Sequence, residues 1–384
     1  MRDLDCRTDP LGVTVRLLQC LAGTRSGEGA GGPHFEGSID WEAVVALASA
    51  HLVLPALDAA LRLAPDGDMD VPADARAFFA DMAAANAARN RALADDLKRI
   101  ADLLASAGIP VVALKGAAFI LDDARRTAGK EPLAPWRFSS DLDLLVPPPR
   151  LHEAGACLVG AGYRPAADCE PFDPERDAHL PPLWSPGGTH TVELHGHLFA
   201  PGIARRLDEG ILARSLEVAC GAMPMRIPAA ADRIAIVLAH SQVHHRFHAA
   251  RRILLRDLLD LSHLASPDGS ALVADALTRL EPGSERDAAR ALVLASSEIM
   301  AWPVAGITFT AGDRAFVRAA IRRLEGSRLK RRVLAAVDDA RIEARRLVAE
   351  PGRVRRLMSI AVSPQMVRSR ISRRAGKRRQ AHWG

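Results

Sequence analysis

The sequence predicts an α+β protein in which a small mixed β-sheet is embedded between an N-terminal and a C-terminal helical region. Three observations carry this prediction. Helical periodicity runs through the first hundred residues, short β-branched or alternating runs cluster between residues 109 and 196, and helical patterns resume from about residue 205. The shifts divide the chain into a helical region over 1–106, an α/β core over 107–200, a second helical region over 201–350 and a basic tail over 351–384.

Each element has a local cause. Asp40 is an N-cap for a helix carrying Trp41, Val44, Val45, Leu47 and Ala48, and Pro55 interrupts it. Val71-Pro72-Ala73-Asp74 opens a long helix with apolar positions at Phe78, Phe79, Met82, Leu93, Leu97, Ile100 and Leu104. Gly108 to Gly116, Gly-Ile-Pro-Val-Val-Ala-Leu-Lys-Gly, followed by Ala117, Ala118 and Phe119, has the pattern of strand, tight turn and helix. The polar stretch from Asp122 to Pro135 is expected to be a loop. A second strand covers Ser139 to Val146, a helix Arg150 to Ala161, and a Pro- and Gly-rich loop Asp168 to Gly188. Thr191-Val-Glu-Leu-His195 is a third, alternating strand. Helical segments follow at 204–218, 229–248, 251–265, 271–280 and 284–300, and no internal repeat is visible.

Composition bounds the function. At 384 residues the chain can bury a sizeable core, and 48% hydrophobic with 25% charged residues describes an ordinary globular protein. No apolar run approaches the roughly 18 residues a membrane span needs. Charges at Arg2, Asp3 and Asp5 stand where a signal peptide is apolar. Five scattered cysteines fit neither a disulfide framework nor a zinc spacing, and a cytoplasmic location is expected. From Pro351 to Gly384 there are ten Lys or Arg and no Asp or Glu; removed from the formal +5 of the chain, they leave the first 350 residues at −5. Such a tail could contact an acidic partner, RNA or an anionic surface.

The chemistry concentrates in Ser139-Ser140-Asp141-Leu142-Asp143-Leu144-Leu145-Val146. Alternation along a strand puts Asp141 and Asp143 on one face and the leucines on the other. Paired carboxylates repel, and a divalent cation relieves that repulsion; Mg²⁺ held partly through substrate phosphates suits such a pair. Lys115 and Gly116 add a positive charge and a close backbone approach ahead of a helix start that favours anions. Glu193 offers a third carboxylate on the third strand. Arg137 stands just before the metal strand, where it could meet phosphate or form a salt bridge.

Leu114-Lys115-Gly116, Arg137 before Ser140-Asp-Leu-Asp-Leu-Leu-Val146, and Val192-Glu-Leu-His195 together resemble the DNA polymerase beta-type nucleotidyltransferase superfamily. The chain is most similar to its bacterial uncharacterised nucleotidyltransferase family, from Trp41 to about residue 300. The resemblance implies transfer of a nucleoside monophosphate from a nucleoside triphosphate, with ATP the first candidate, to an acceptor. It also implies two Mg²⁺ ions on Asp141, Asp143 and Glu193. Lys115, Gly116, Ala117, Arg137 and Ser140 would then contact the nucleotide. In that superfamily the turn is usually Gly-Ser or Gly-Gly, whereas Gly116-Ala117 brings no hydroxyl. The acceptor, whether small molecule, peptide or protein, is not legible.

Two other readings stand beside this one. His240 and His244 share a helix face, and with Asp257, Asp260, His195 and His197 they could build a mononuclear metal hydrolase. The His-Glu-x-x-His signature is absent, however. His195, His240, His244 and Asp257 are therefore expected to line the pocket or to bridge helices. The alternative from another class is a catalytically weak protein of the same fold that recognises a peptide or nucleic acid through its pocket and basic tail.

Overall fold

Asp40 accepts a hydrogen bond from the Ala43 amide at 3.0 Å and so starts the first helix that the sequence marks with a cap. The computed structural model describes residues 9–26, 35, 38–63, 70–125, 135–166, 169, 172–265, 269–326 and 337. The basic tail and the middle of the expected loop between Asp122 and Pro135 lie outside them.

In chain order, α1 (Pro10–Ser26), α2 (Trp41–Ala50), α3 (Leu54–Leu63) and the 34-residue α4 (Ala73–Ser106) come first. Pro55 falls in the first turn of α3, where its missing N–H costs nothing. The core follows: β1 (Val112–Ala113), α5 (Lys115–Arg125), β2 (Asp141–Leu145), α6 (Leu151–Gly160), β3 (Arg164–Pro165), β4 (Leu183–Trp184) and β5 (Thr191–His195). Then come α7 (Arg205–Asp208), α8 (Ile211–Arg214), β6 (Leu216–Cys220), β7 (Met223–Ile227) and α9 (Ala230–Ala239). A π-helical turn (His240–His244) leads to α10 (Phe247–Ala250), α11 (Leu255–Ala265), α12 (Gly269–Thr278), α13 (Ser284–Met300) and α14 (Ala311–Leu324).

The sheet has seven strands in the order β3-β4-β5-β2-β1-β7-β6. It is mixed: β2 runs parallel to β5 and β1 parallel to β7, while the other pairs are antiparallel. Three sequence expectations change here. Residues 216–227 form a hairpin, not the end of a helix over 204–218, so the sheet extends past the boundary expected at residue 200. Gly221, at φ 69°, opens a two-residue turn that matches the twist of its strands. Asp122 to Arg125 continue α5, and the stretch expected as a loop over 168–188 includes β4.

One core lies against the sheet, with Leu93, Leu97, Ile100 and Leu104 of α4 meeting Leu142, Leu144, Val192 and Leu194. A second core joins both ends of the chain, because α1 packs on α11 and α13 as well as on α2 and α3. Buried polar side chains of α4 tie it to the sheet layer. Asn86 and Asn90 donate to the Arg137 carbonyl at 3.2 and 2.9 Å, fixing the approach to β2. Asp96 accepts from the single tyrosine, Tyr163, at 2.6 Å and from His190 at 2.8 Å. No described helix is long and apolar enough to cross a membrane.

Candidate active site

The parallel register of β2 and β5 builds the site. Asp141 pairs with Thr191, Asp143 with Glu193 and Leu145 with His195. Because side chains alternate, Asp141, Asp143, Glu193 and His195 share one face while Leu142, Leu144, Val192 and Leu194 bury the other. The acids form one end of a cavity of about 480 Å³ that also takes in the start of α5 and residues of α9, the π-helical turn and α11. Such a volume is in the range of small-ligand pockets.

Asp143 is the electrostatic centre. It is 4% exposed, and one carboxylate oxygen accepts from Lys115 Nζ at 2.6 Å and from His195 Nε2 at 3.0 Å. Burial opposes its ionisation, yet the adjacent Lys115 and His195 hold its pKa far below the usual carboxylate range. Lys115 and His195 are raised in turn, against their own burial, by the carboxylates they face. Asp141 goes the other way. Burial and the neighbouring charges of Asp143 and Glu193 push it up to about 6. Glu193 is lowered despite burial by its hydrogen bond with His195.

The turn into α5 is shaped by close approach. Lys115 adopts φ 45°, a left-handed conformation that a non-glycine residue keeps at a cost of order 1 kcal/mol. At Gly116 a Cβ would fall 2.6 Å from Ser139 Oγ, so only glycine fits under that hydroxyl. Ala117 is fully buried, whereas Ser140 is exposed at the cavity edge. Arg137 is spent on protein groups: Nε and Nη2 donate to the two oxygens of Asp260 at 2.9 and 2.8 Å, and Nη1 donates to Ser139 Oγ at 3.0 Å. Its guanidinium also lies 4.5 Å from the Phe119 ring centroid, and that of Arg233 lies 4.6 Å from the same centroid.

His240, His244 and Asp257 line the same cavity. The π-helical turn stacks His240 on His244, with ring centroids 5.7 Å apart and planes 13° apart, and Phe199 and Phe247 flank the group. Burial, with Lys115 and His245 adding repulsion, holds His240 neutral well below the usual imidazole range. Asp257 bonds Arg256 at 3.2 Å and not the histidines, and burial raises its pKa. Sequence reasoning named Ser139 only as the start of the stretch to Val146 and gave no role to His179 or Arg256; all three line the cavity. Parity along β5 would have placed His195 beside Glu193; nothing local marks the others.

Among the described residues, Asp143, Glu193 and His195 each bring one donor atom within 4.8 Å of the others. This set differs from the expected trio by including His195, with Asp141 two residues before Asp143 on the same face. Two carboxylates and an imidazole, faced by the ammonium of Lys115, are chemically suited to a divalent cation.

Residues 37–296 match the family described as "Uncharacterised nucleotidyltransferase", about two thirds of the chain. The chain belongs to that family. It is accordingly a transferase of nucleotidyl groups, and the matched residues span every element that lines the cavity. No curated protein matches the chain. Among solved structures, that of the antibiotic-resistance factor ANT(2'')-Ia is similar at 14% identity over 68% of this chain and 98% of that one. Its TM-score is 0.28, too slight a likeness to carry a structural conclusion.

Proposed function

We propose that the cavity transfers a nucleoside monophosphate from a nucleoside triphosphate to an acceptor hydroxyl or amine, with ATP as the first donor to try. The observation that carries this is the pairing of Asp143 with Glu193 across two parallel strands, directly facing the Lys115-Gly116 turn. Asp141, Asp143 and Glu193 would hold divalent cations, with Mg²⁺ the ordinary partner of the oxygen ligands on Asp141 and of phosphate oxygens. When bound, two such ions would neutralise the leaving pyrophosphate and ease deprotonation of the acceptor.

The residues themselves divide the remaining work. Lys115, released from Asp143, would turn its ammonium to the phosphate chain, and the backbone at Gly116 and Ala117 would approach a phosphate closely. Ser140 at the rim would donate to the same chain. Glu193 would take the proton of the attacking group, for which its lowered pKa keeps it ionised. Arg137 would act through others, holding Ser139 against the turn. The uncharged rings of Phe199, His240 and Phe247 offer flat faces on which a nucleobase can stack.

Equilibrium binding tests this. The protein should bind ATP or another NTP with micromolar affinity in Mg²⁺, and at least tenfold more weakly in EDTA. Equal binding of all four NTPs with and without metal, or none at all, would contradict the proposal.

A further inference from the structure

We infer that His195 is itself a metal ligand through Nε2, and that it biases this position toward Mn²⁺ over Mg²⁺. The inference rests on the metal-dependent reading above and goes beyond it by changing the donor set and the preferred ion. Three observations support it, and none depends on the resemblance.

The first is spacing. His195 Nε2 lies 3.0 Å from Asp143 Oδ1 and 3.6 Å from Glu193 Oε2. Adjacent ligands of an octahedral ion with bonds of about 2.1 Å sit about 3 Å apart. Both carboxylate oxygens thus stand from Nε2 near the separation that one ion would impose, and all three atoms lie within 4.8 Å of one another. The second is the far side of the ring. His195 Nδ1 donates to the carbonyl of His197 at 3.3 Å. That bond keeps a proton on Nδ1, so Nε2, which donates to Asp143 here, would present a lone pair to the carboxylates once a divalent ion replaced its proton, the arrangement found behind most metal-bound histidines. The third is the cation that these carboxylates already attract. The Lys115 ammonium sits 2.6 Å from the same Asp143 oxygen, a monovalent cation where a divalent one would stand.

A nitrogen donor changes the choice of ion. Mg²⁺ takes oxygen ligands and sheds water reluctantly, whereas Mn²⁺ accepts carboxylate and imidazole together and lies further along the order of increasing affinity. Asp141, two residues before Asp143 and away from His195, keeps an all-oxygen environment for a second ion. The two positions are therefore unequal: one on Asp143, Glu193 and His195, the other on Asp141 and substrate oxygens.

The test uses the full chain with Mn²⁺ and inorganic tripolyphosphate, so that any nitrogen near the ion comes from protein. Pulsed electron paramagnetic resonance should show a directly bound imidazole nitrogen. The signal should disappear in His195→Gln while Mn²⁺ stays bound, and persist in His179→Gln. Titration should give a dissociation constant for Mn²⁺ at least tenfold below that for Mg²⁺, with the gap narrowing in His195→Gln. The unmodified protein decides the matter even if a variant fails to fold. Bound Mn²⁺ without a nitrogen signal, or a signal that survives in His195→Gln, overturns the His195 assignment and leaves the metal-dependent reading standing. Absence of bound Mn²⁺ in the presence of tripolyphosphate overturns both.

Discussion

Asp141 and Asp143 are neighbours on one strand face, yet their environments push them in opposite directions. Asp143 faces Lys115 and His195 and stays ionised; Asp141 faces two other carboxylates and is pushed up to about 6. A carboxylate raised in the folded state opposes folding at neutral pH, because the folded chain disfavours its charge. Asp141→Asn should therefore raise the melting temperature while nucleotidyl transfer falls at least a hundredfold. Asp143→Asn should lower both, since it leaves Lys115 and His195 without their shared partner. Thermal unfolding and turnover of the two variants, measured side by side, check the split; equal effects would show that the two acids are interchangeable. That the two acids share a face was legible from period-two alternation alone. What neutralises that face was not: Lys115 was read as a charge for phosphate and His195 as a pocket residue, neither as a donor to Asp143.

Among the elements, the ends of helices account for more than their interiors. Thr310 and Asp313 cap α14 reciprocally, with the Asp313 amide on Thr310 Oγ1 at 3.2 Å and the Thr310 amide on Asp313 Oδ2 at 2.7 Å. Arg290 of α13 also donates to Asp313 at 2.8 Å. Burial opposes ionisation of Asp313, but these donors hold its pKa below the ordinary carboxylate value. The sign follows: the stabilisation is fully present above the unfolded pKa of about 3.9 and is lost as pH falls through the lower folded value. Asp313→Asn should cost about 1 kcal/mol at neutral pH, with the difference from the parent shrinking below about pH 4, as denaturant unfolding at several pH values would show. Elements of this kind were unevenly legible. Asp40 announced α2, but the π-helical turn at His240–His244 hid inside an α-like apolar pattern, because an extra residue per turn leaves little trace in composition. The β6–β7 hairpin was missed because its short strands continue a helical-looking stretch. Gly221 was the available signal.

Across the whole molecule, the sheet layer is held to the C-terminal helices by charge as well as by apolar packing. Arg137 reaches Asp260 of α11 with two hydrogen bonds, and Arg233 of α9 reaches Asp122 of α5 at 2.7 Å; all four are largely buried. Such pairs span 123 and 111 residues of sequence, and for that reason nothing local could reveal them. Removing one member leaves a buried charge without its partner, which costs about 3–5 kcal/mol. Arg137→Met and Asp260→Leu should each destabilise by about that much, and the double variant should recover a large part of it. Additive losses in that double-mutant cycle would mean that the two side chains act independently. Arg137 also presses Ser139 against Gly116, so the double variant, though stable, should bind NTP more weakly than the parent.

The central claim is transfer of a nucleotidyl group, and isotope position tests it most directly. The protein is incubated with Mn²⁺ or Mg²⁺ and ATP labelled either at the α- or at the γ-phosphate, together with a small-molecule and peptide fraction as acceptor source. Label from the α position should appear on an acceptor with release of unlabelled pyrophosphate, and Asp143→Asn should abolish it. Transfer of the γ label, or α-label transfer that survives in Asp143→Asn, would contradict the account.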